Sequence, residues 1–95
     1  MAGHEISAPR VTATGTLVGK PCRLRGIRWS GGSADGTLIL RDGGASGATR
    51  LTIDVATTFE GSLMIPEPDG IRFETDIHLT IGTNVATAVT GFIEG

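Results

Sequence analysis

A single cysteine, Cys22, stands in a chain of 95 residues, together with no tyrosine, one tryptophan and three phenylalanines. One thiol excludes an internal disulfide, so the fold has to rest on its core and nothing demands an oxidising compartment. Four aromatic residues are too few to supply both a core and an exposed platform of the kind that sugar-binding modules need. No apolar run reaches the length that crosses a membrane, and the opening MAGHEISAPR lacks the apolar stretch of a signal peptide. The expectation is a soluble product made in a cytoplasm, with no membrane partner. Helical periodicity is missing too, because Gly or Pro interrupts almost every window of ten residues.

Fifteen glycines, with many Thr and Val, describe instead short strands joined by tight turns. About seven strands are expected: Arg10 to Val18, Cys22 to Ser30, Gly36 to Asp42, Ala48 to Thr57, Gly61 to Glu67, Gly70 to Gly82, and a final stretch from Val85. This predicts one all-β domain over residues 10–95, a single antiparallel β-sandwich or jelly-roll-like barrel. Residues 1–9 precede it as a flexible N-terminal arm. In the second strand Leu24 breaks the alternation set by Ile27 and Trp29. A bulge at Gly26 returns all three to one face and turns Arg23, Arg25 and Arg28 outward. The predicted core is Leu24, Ile27, Trp29, Leu38, Leu40, Leu51, Ile53, Val55, Leu63, Ile65, Ile71, Phe73, Ile77, Leu79, Ile81, Val89 and Phe92.

The stretch GIRFETDIHLTIG alternates almost perfectly, with Ile71, Phe73, Ile77, Leu79 and Ile81 on one side. Arg72, Glu74, Asp76, His78 and Thr80 occupy the other, which raises the question of an acid–base site. Polar residues at alternate positions are what a half-buried strand requires, and nothing in the pattern supplies a desolvating cleft. The face is read as a surface and an interface, and the protein as no enzyme. His4 and His78 lie far apart without a zinc-ligand spacing, and Asp35, Asp42 and Asp69 each precede Gly as turn residues do. DGGASG lacks the Lys-Ser/Thr and the helix of a phosphate loop, and no nucleophile elbow surrounds Ser33 or Ser46. No cofactor or metal is expected. Cys22 reads as a small hydrophobe at a strand edge.

Charge is divided along the chain. Up to Arg50 seven cations face three acids, a balance of +4; from Leu51 one cation faces seven acids, a balance of −6. The acidic half argues against nucleic acid as partner, and the division suits a chain that meets copies of itself or a protein of mixed charge. Lys20, Arg23, Arg25 and Arg28 form the strongest electrostatic feature, suited to an acidic protein surface such as the Glu74/Asp76 face of a neighbouring copy.

The segments from Leu24 to Val55 and from Gly70 to Gly95 together resemble small β-sandwich virion proteins of tailed bacteriophages. The likeness lies in a strand ending in Ser-Gly, a hairpin of the form GT-apolar-x-apolar-x-D-G at Gly36–Gly43, and the strand GIRFETDIHLTIG leading to a valine- and threonine-rich end. It extends over residues 22 to 93. Asp76 stands where the family usually has Gly and His78 where it has an aromatic, which makes this surface more polar. The resemblance implies a structural role: a capsid decoration or cement protein, or a head-fibre or tail-associated component. It implies a homo-oligomer, often a trimer, with the major capsid protein or another virion protein as partner. Candidate contact residues are His4, Glu5, Ile6 and Arg10 of the arm and its junction, the outward Arg23, Arg25 and Arg28, and Glu74, Asp76 and His78. A carbohydrate-binding sandwich is the rival and requires Trp29 and Phe59 exposed on one surface.

Overall fold

The computed structural model describes residues 6–56, 60–65 and 70–94. Those residues are all-β, and they form two antiparallel sheets with no helix among them. The strands are β1 (Ile6–Ser7), β2 (Arg10–Val11), β3 (Gly15–Val18), β4 (Cys22–Gly31), β5 (Gly36–Asp42), β6 (Ala48–Val55), β7 (Gly61–Met64), β8 (Ile71–Phe73), β9 (Ile77–Ile81) and β10 (Ala86–Glu94). The first sheet runs β1-β10-β4-β7, with β2 also on β10 and β8 also on β4; the second runs β3-β9-β5-β6.

Ten strands replace the expected seven because two of the expected strands pass from one sheet to the other and Ile6–Ser7, in the expected arm, adds a further short one. The stretch from Arg10 to Val18 breaks after Val11, so that β2 lies on β10 and β3 on β9. The stretch from Gly70 to Gly82 breaks at Glu74–Asp76, so that Phe73 pairs with Cys22 in the first sheet and Ile77 with Val18 in the second. Phe73 and Ile77 keep the same parity across the break, which is why alternation alone reads as one strand. The arm is also shorter than expected. Ile6 and Ser7 pair with Glu94 and Ile93, and Gly91 donates its N–H to the Pro9 carbonyl at 3.0 Å. Residues 6–9 therefore run along β10 rather than extending free of it.

The bulge in β4 forms as the parity demanded: Gly26 faces Phe92 and Leu24 faces Ile93, leaving Arg25 as the extra residue. Leu24, Ile27 and Trp29 are all buried. They join Leu38, Leu40, Ile53, Val55, Phe73, Ile77, Leu79 and Val89 in a core shared by the two sheets, with Leu51, Ile71 and Ile81 partly buried against it. Three core expectations are corrected. Phe92 is half-buried and faces outward, because Val89, Gly91 and Ile93 are the inward residues of β10 and Leu17 packs over Gly91. Leu63 is 38 % exposed because β7 is an edge strand, and Ile65 behind it is only half-buried. Leu17, Cys22, Val85, Ala86 and Ile93 complete the core. Burial also pushes the Cys22 thiol above its ordinary value, so it stays protonated and serves as a small hydrophobe.

Candidate interaction surface

The outer face of the first sheet gathers the chain's cations. Cross-strand register places Arg10, Thr90, Arg28 and Ser62 in one row and Ile6, Glu94, Arg23 and Arg72 in another. Arg25, in the bulge, holds Glu94 at 3.1 Å. Five of the eight Lys/Arg residues thus belong to one sheet, whose strands carry a single described acid, Glu94. The fold does not keep the division along the sequence, because Arg72, from the acidic half, sits directly opposite Arg23.

Between the two arginine rows runs an apolar one: Phe92, Gly26 and Met64. Gly26 is what allows it. A Cβ there would meet the Met64 Sδ at 2.6 Å and the Leu63 carbonyl at 3.2 Å, so the missing side chain is the seat of the Met64 thioether. Met64 is nonetheless 60 % exposed, and the other large exposed hydrophobics among the described residues, Ile6 and Leu63, belong to strands of the same sheet. Rows lie roughly 7 Å apart and neighbouring strands about 4.8 Å, which spaces Arg10 and Arg28 roughly 10 Å apart across Thr90. Guanidinium groups stay charged and grip carboxylates with two parallel hydrogen bonds. Arg, Met and Phe are the types that interface cores favour over the general surface.

The other expected contact residues are placed differently. His4 and Glu5 lie outside the described residues. Glu74 is exposed at the corner between β8 and β9. Asp76 is committed internally: its Oδ1 accepts the Gly43 and Gly44 N–H groups at 2.9 and 3.1 Å. Asp42 returns the arrangement, accepting the N–H groups of Glu74 at 2.8 Å, Thr75 at 2.9 Å and Asp76 at 3.4 Å. Each carboxylate thus serves backbone amides of the loop beside the other. Gly43 and Gly44 can aim both amides at Asp76 because they hold φ of +106° and +80°, where side chains are strained. The bonds from Glu74, Thr75 and Asp76, with Arg50 at 3.8 Å, hold the Asp42 carboxyl below the usual carboxylate value against the opposing pull of desolvation. His78 lies between Thr16 and Arg41 on the second sheet, half-buried, with a buried Nδ1. Arg72, Glu74, Asp76 and His78 therefore share no common face, and no acid–base array exists among them. Among the described residues no group of three metal-ligating side chains comes together.

Sequence reasoning placed Arg23, Arg25 and Arg28 outward but missed Arg72, Phe92 and Met64 as their neighbours. Arg10, expected to make contact through the arm, instead joins the arginine rows through its pairing with Thr90. Comparison with protein families, with curated proteins and with solved structures finds no match for this chain.

Proposed function

We propose that this chain is a non-enzymatic structural protein of a tailed-phage particle, a decoration or cement protein that binds the outer shell as a symmetric oligomer. The observation that carries the reading is the apolar row Phe92–Gly26–Met64 set between two arginine rows on one exposed sheet face. A face of this kind suits an acidic protein surface with apolar groups at its centre, here that of the major capsid protein or another virion component. Many copies of one modest contact then act together through avidity. No cofactor, nucleic acid or membrane enters the reading.

We further infer that the two sheets form a jelly roll. Counting β1 with β2 and β8 with β9 gives eight strands, and the first pairs with the eighth, the second with the seventh, the third with the sixth and the fourth with the fifth. This is one long antiparallel ribbon, rolled so that the third also meets the eighth and the fourth the seventh. Viral shell proteins and lectins both use such rolls, so the architecture supports the reading without deciding it. The sugar-binding rival loses its stated requirement, since Trp29 is 5 % exposed and lies in the core.

Gold-labelled antibody microscopy on particles from the source lysate tests the reading. Labels spread over heads support it, labels confined to tails or a vertex move the protein to the tail or fibre, and unlabelled particles refute it. On labelled heads, Arg10→Glu with Arg28→Glu should leave the fold intact and reduce incorporation severely; unchanged incorporation removes this face as the attachment surface.

A further inference from the structure

The second sheet ends in an unusual edge. Strand β6 has eight residues and pairs on one side only, with β5, so among the described residues its outer N–H and C=O groups meet no other strand. The opposite edge of that sheet, β3, has four residues, and β7 in the first sheet also has four. A long regular edge is a template for another strand, and proteins that do not use such edges shorten or interrupt them. Strand β6 is interrupted only near its start, where a bulge leaves Arg50 without a partner on β5; Leu51 to Val55 pair regularly.

We infer that the occupant of this edge is β6 of a second copy, paired antiparallel about a two-fold axis through Thr52. The segment Arg50-Leu51-Thr52-Ile53-Asp54 is complementary to its own reverse. Thr52 and Asp54 are exposed and Ile53 and Val55 are buried, while Arg50, the extra residue of the bulge, is exposed with its guanidinium 3.8 Å from Asp42. A two-fold axis perpendicular to the sheet keeps each face on its own side, so only registers that match outward residues with outward ones are allowed. Centred on Leu51, the pairing sets Arg50 against Thr52; centred on Ile53, it sets Asp54 against Thr52. Centred on Arg50 or on Asp54, it sets like charges face to face, which is unfavourable. Centred on Thr52, Arg50 of each copy faces Asp54 of the other, Thr52 faces Thr52, and Leu51 faces Ile53. That register alone satisfies both charges at once. Arg50 is available for it: its contact with Asp42 is long, 3.8 Å, and leaves the side chain 42 % exposed. The two second sheets then join into one of eight strands, and the arginine faces of the first sheets remain open. The inference does not rest on the virion reading.

The test is disulfide trapping in the full chain carrying Cys22→Ala. Thr52→Cys places two thiols directly opposite across the axis, within the Cα separation a disulfide spans. Mild oxidation should give a covalent dimer quickly, while Ser62→Cys, exposed on the other sheet, reports random collision. Sedimentation of the unmodified chain across a concentration series should show a monomer–dimer equilibrium. Arg50→Asp or Asp54→Arg alone should weaken the dimer by roughly tenfold, and the two together should restore it. A chain monomeric at every concentration overturns the inference. So does a trimer, equal trapping at positions 52 and 62, or a double variant no better than either single one.

Discussion

Replacing Asp76 by Ala removes one half of the reciprocal carboxylate arrangement and leaves the Gly43 and Gly44 amides to water. The magnitude follows from the contacts. Two backbone N–H groups donate to one carboxylate oxygen, at 2.9 and 3.1 Å. Hydrogen bonds to a charged group contribute about 1.5–3 kcal/mol each, and more when a buried donor is left unsatisfied. Gly43 is exposed and Gly44 half-buried, so water replaces part of what is lost. The expected cost is about 1.5–3 kcal/mol in all, which for a domain of this size lowers Tm by roughly 6 °C or more. Asp76→Asn retains an acceptor oxygen without its charge and should cost about half as much. Thermal melts give the global number. Amide exchange gives the local one, since the Gly43 and Gly44 N–H groups should lose protection before the core strands do. A Tm within about 1 °C of the parent, or unchanged protection of both glycines, would refute the account.

Asp42 supplies a pH dependence of definite sign. Its folded carboxyl lies below the ordinary 3.8, so its stabilisation is complete above that value and is lost as pH falls through the lower folded one. Melts taken from neutral pH downward should show an acid limb that Asp42→Asn flattens; an unchanged limb places the acid sensitivity elsewhere. Depth in the core should order the cavity variants. Leu24→Ala, at a fully buried site, should cost about 3–5 kcal/mol, and Ile53→Ala, 9 % exposed on an edge strand, about 2–3 kcal/mol. Denaturant unfolding that reverses this order contradicts the burial assigned to β6. Gly26→Ala drives a Cβ against the Met64 Sδ, at a cost of about 1–2 kcal/mol. Adding Met64→Ala should recover most of it, and strict additivity of the two in a double-mutant cycle would show that no seat exists.

What the sequence made legible was local. The hairpin of β5 and β6 announces itself through two alternating runs around glycines, and Gly36–Asp42 was bounded correctly. The bulge beside Gly26 was legible because three apolar residues at positions 24, 27 and 29 cannot share a face without one. What was hidden is long-range. Alternation lapses only at Thr75, and a chain that turns a corner and re-enters a core on the same parity leaves no more mark in periodicity than that one polar residue. Asp42 was read as a turn residue before glycine, which it is. Its partners lie 32 to 34 residues away, and no local pattern specifies them. Ile6 and Ser7 looked like part of an arm because two paired residues are too few to produce alternation. Phe92 looked like core because it is large and apolar, yet it lies three residues from Val89, and those two cannot both point inward on a regular strand.

The two crossings between sheets explain where the polar side chains of this small domain are spent. A ribbon that rolls must give up ladder hydrogen bonds wherever a strand leaves one sheet for the other, and those backbone groups need new partners. At the crossing between β2 and β3, the Thr14 hydroxyl donates to the Ile81 carbonyl at 3.2 Å and accepts the Ile81 N–H at 2.9 Å, taking the place of a backbone rung. At the crossing between β8 and β9, Asp42 takes the three amides of the corner while Asp76 reaches back to the hairpin that presents Asp42. The strands that run into these corners are two and three residues long, and they carry Arg10 and Arg72. So short a strand cannot hold a side chain in register by its own pairing. The outer ends of both arginine rows therefore depend on a threonine and two aspartates that never touch the surface they position.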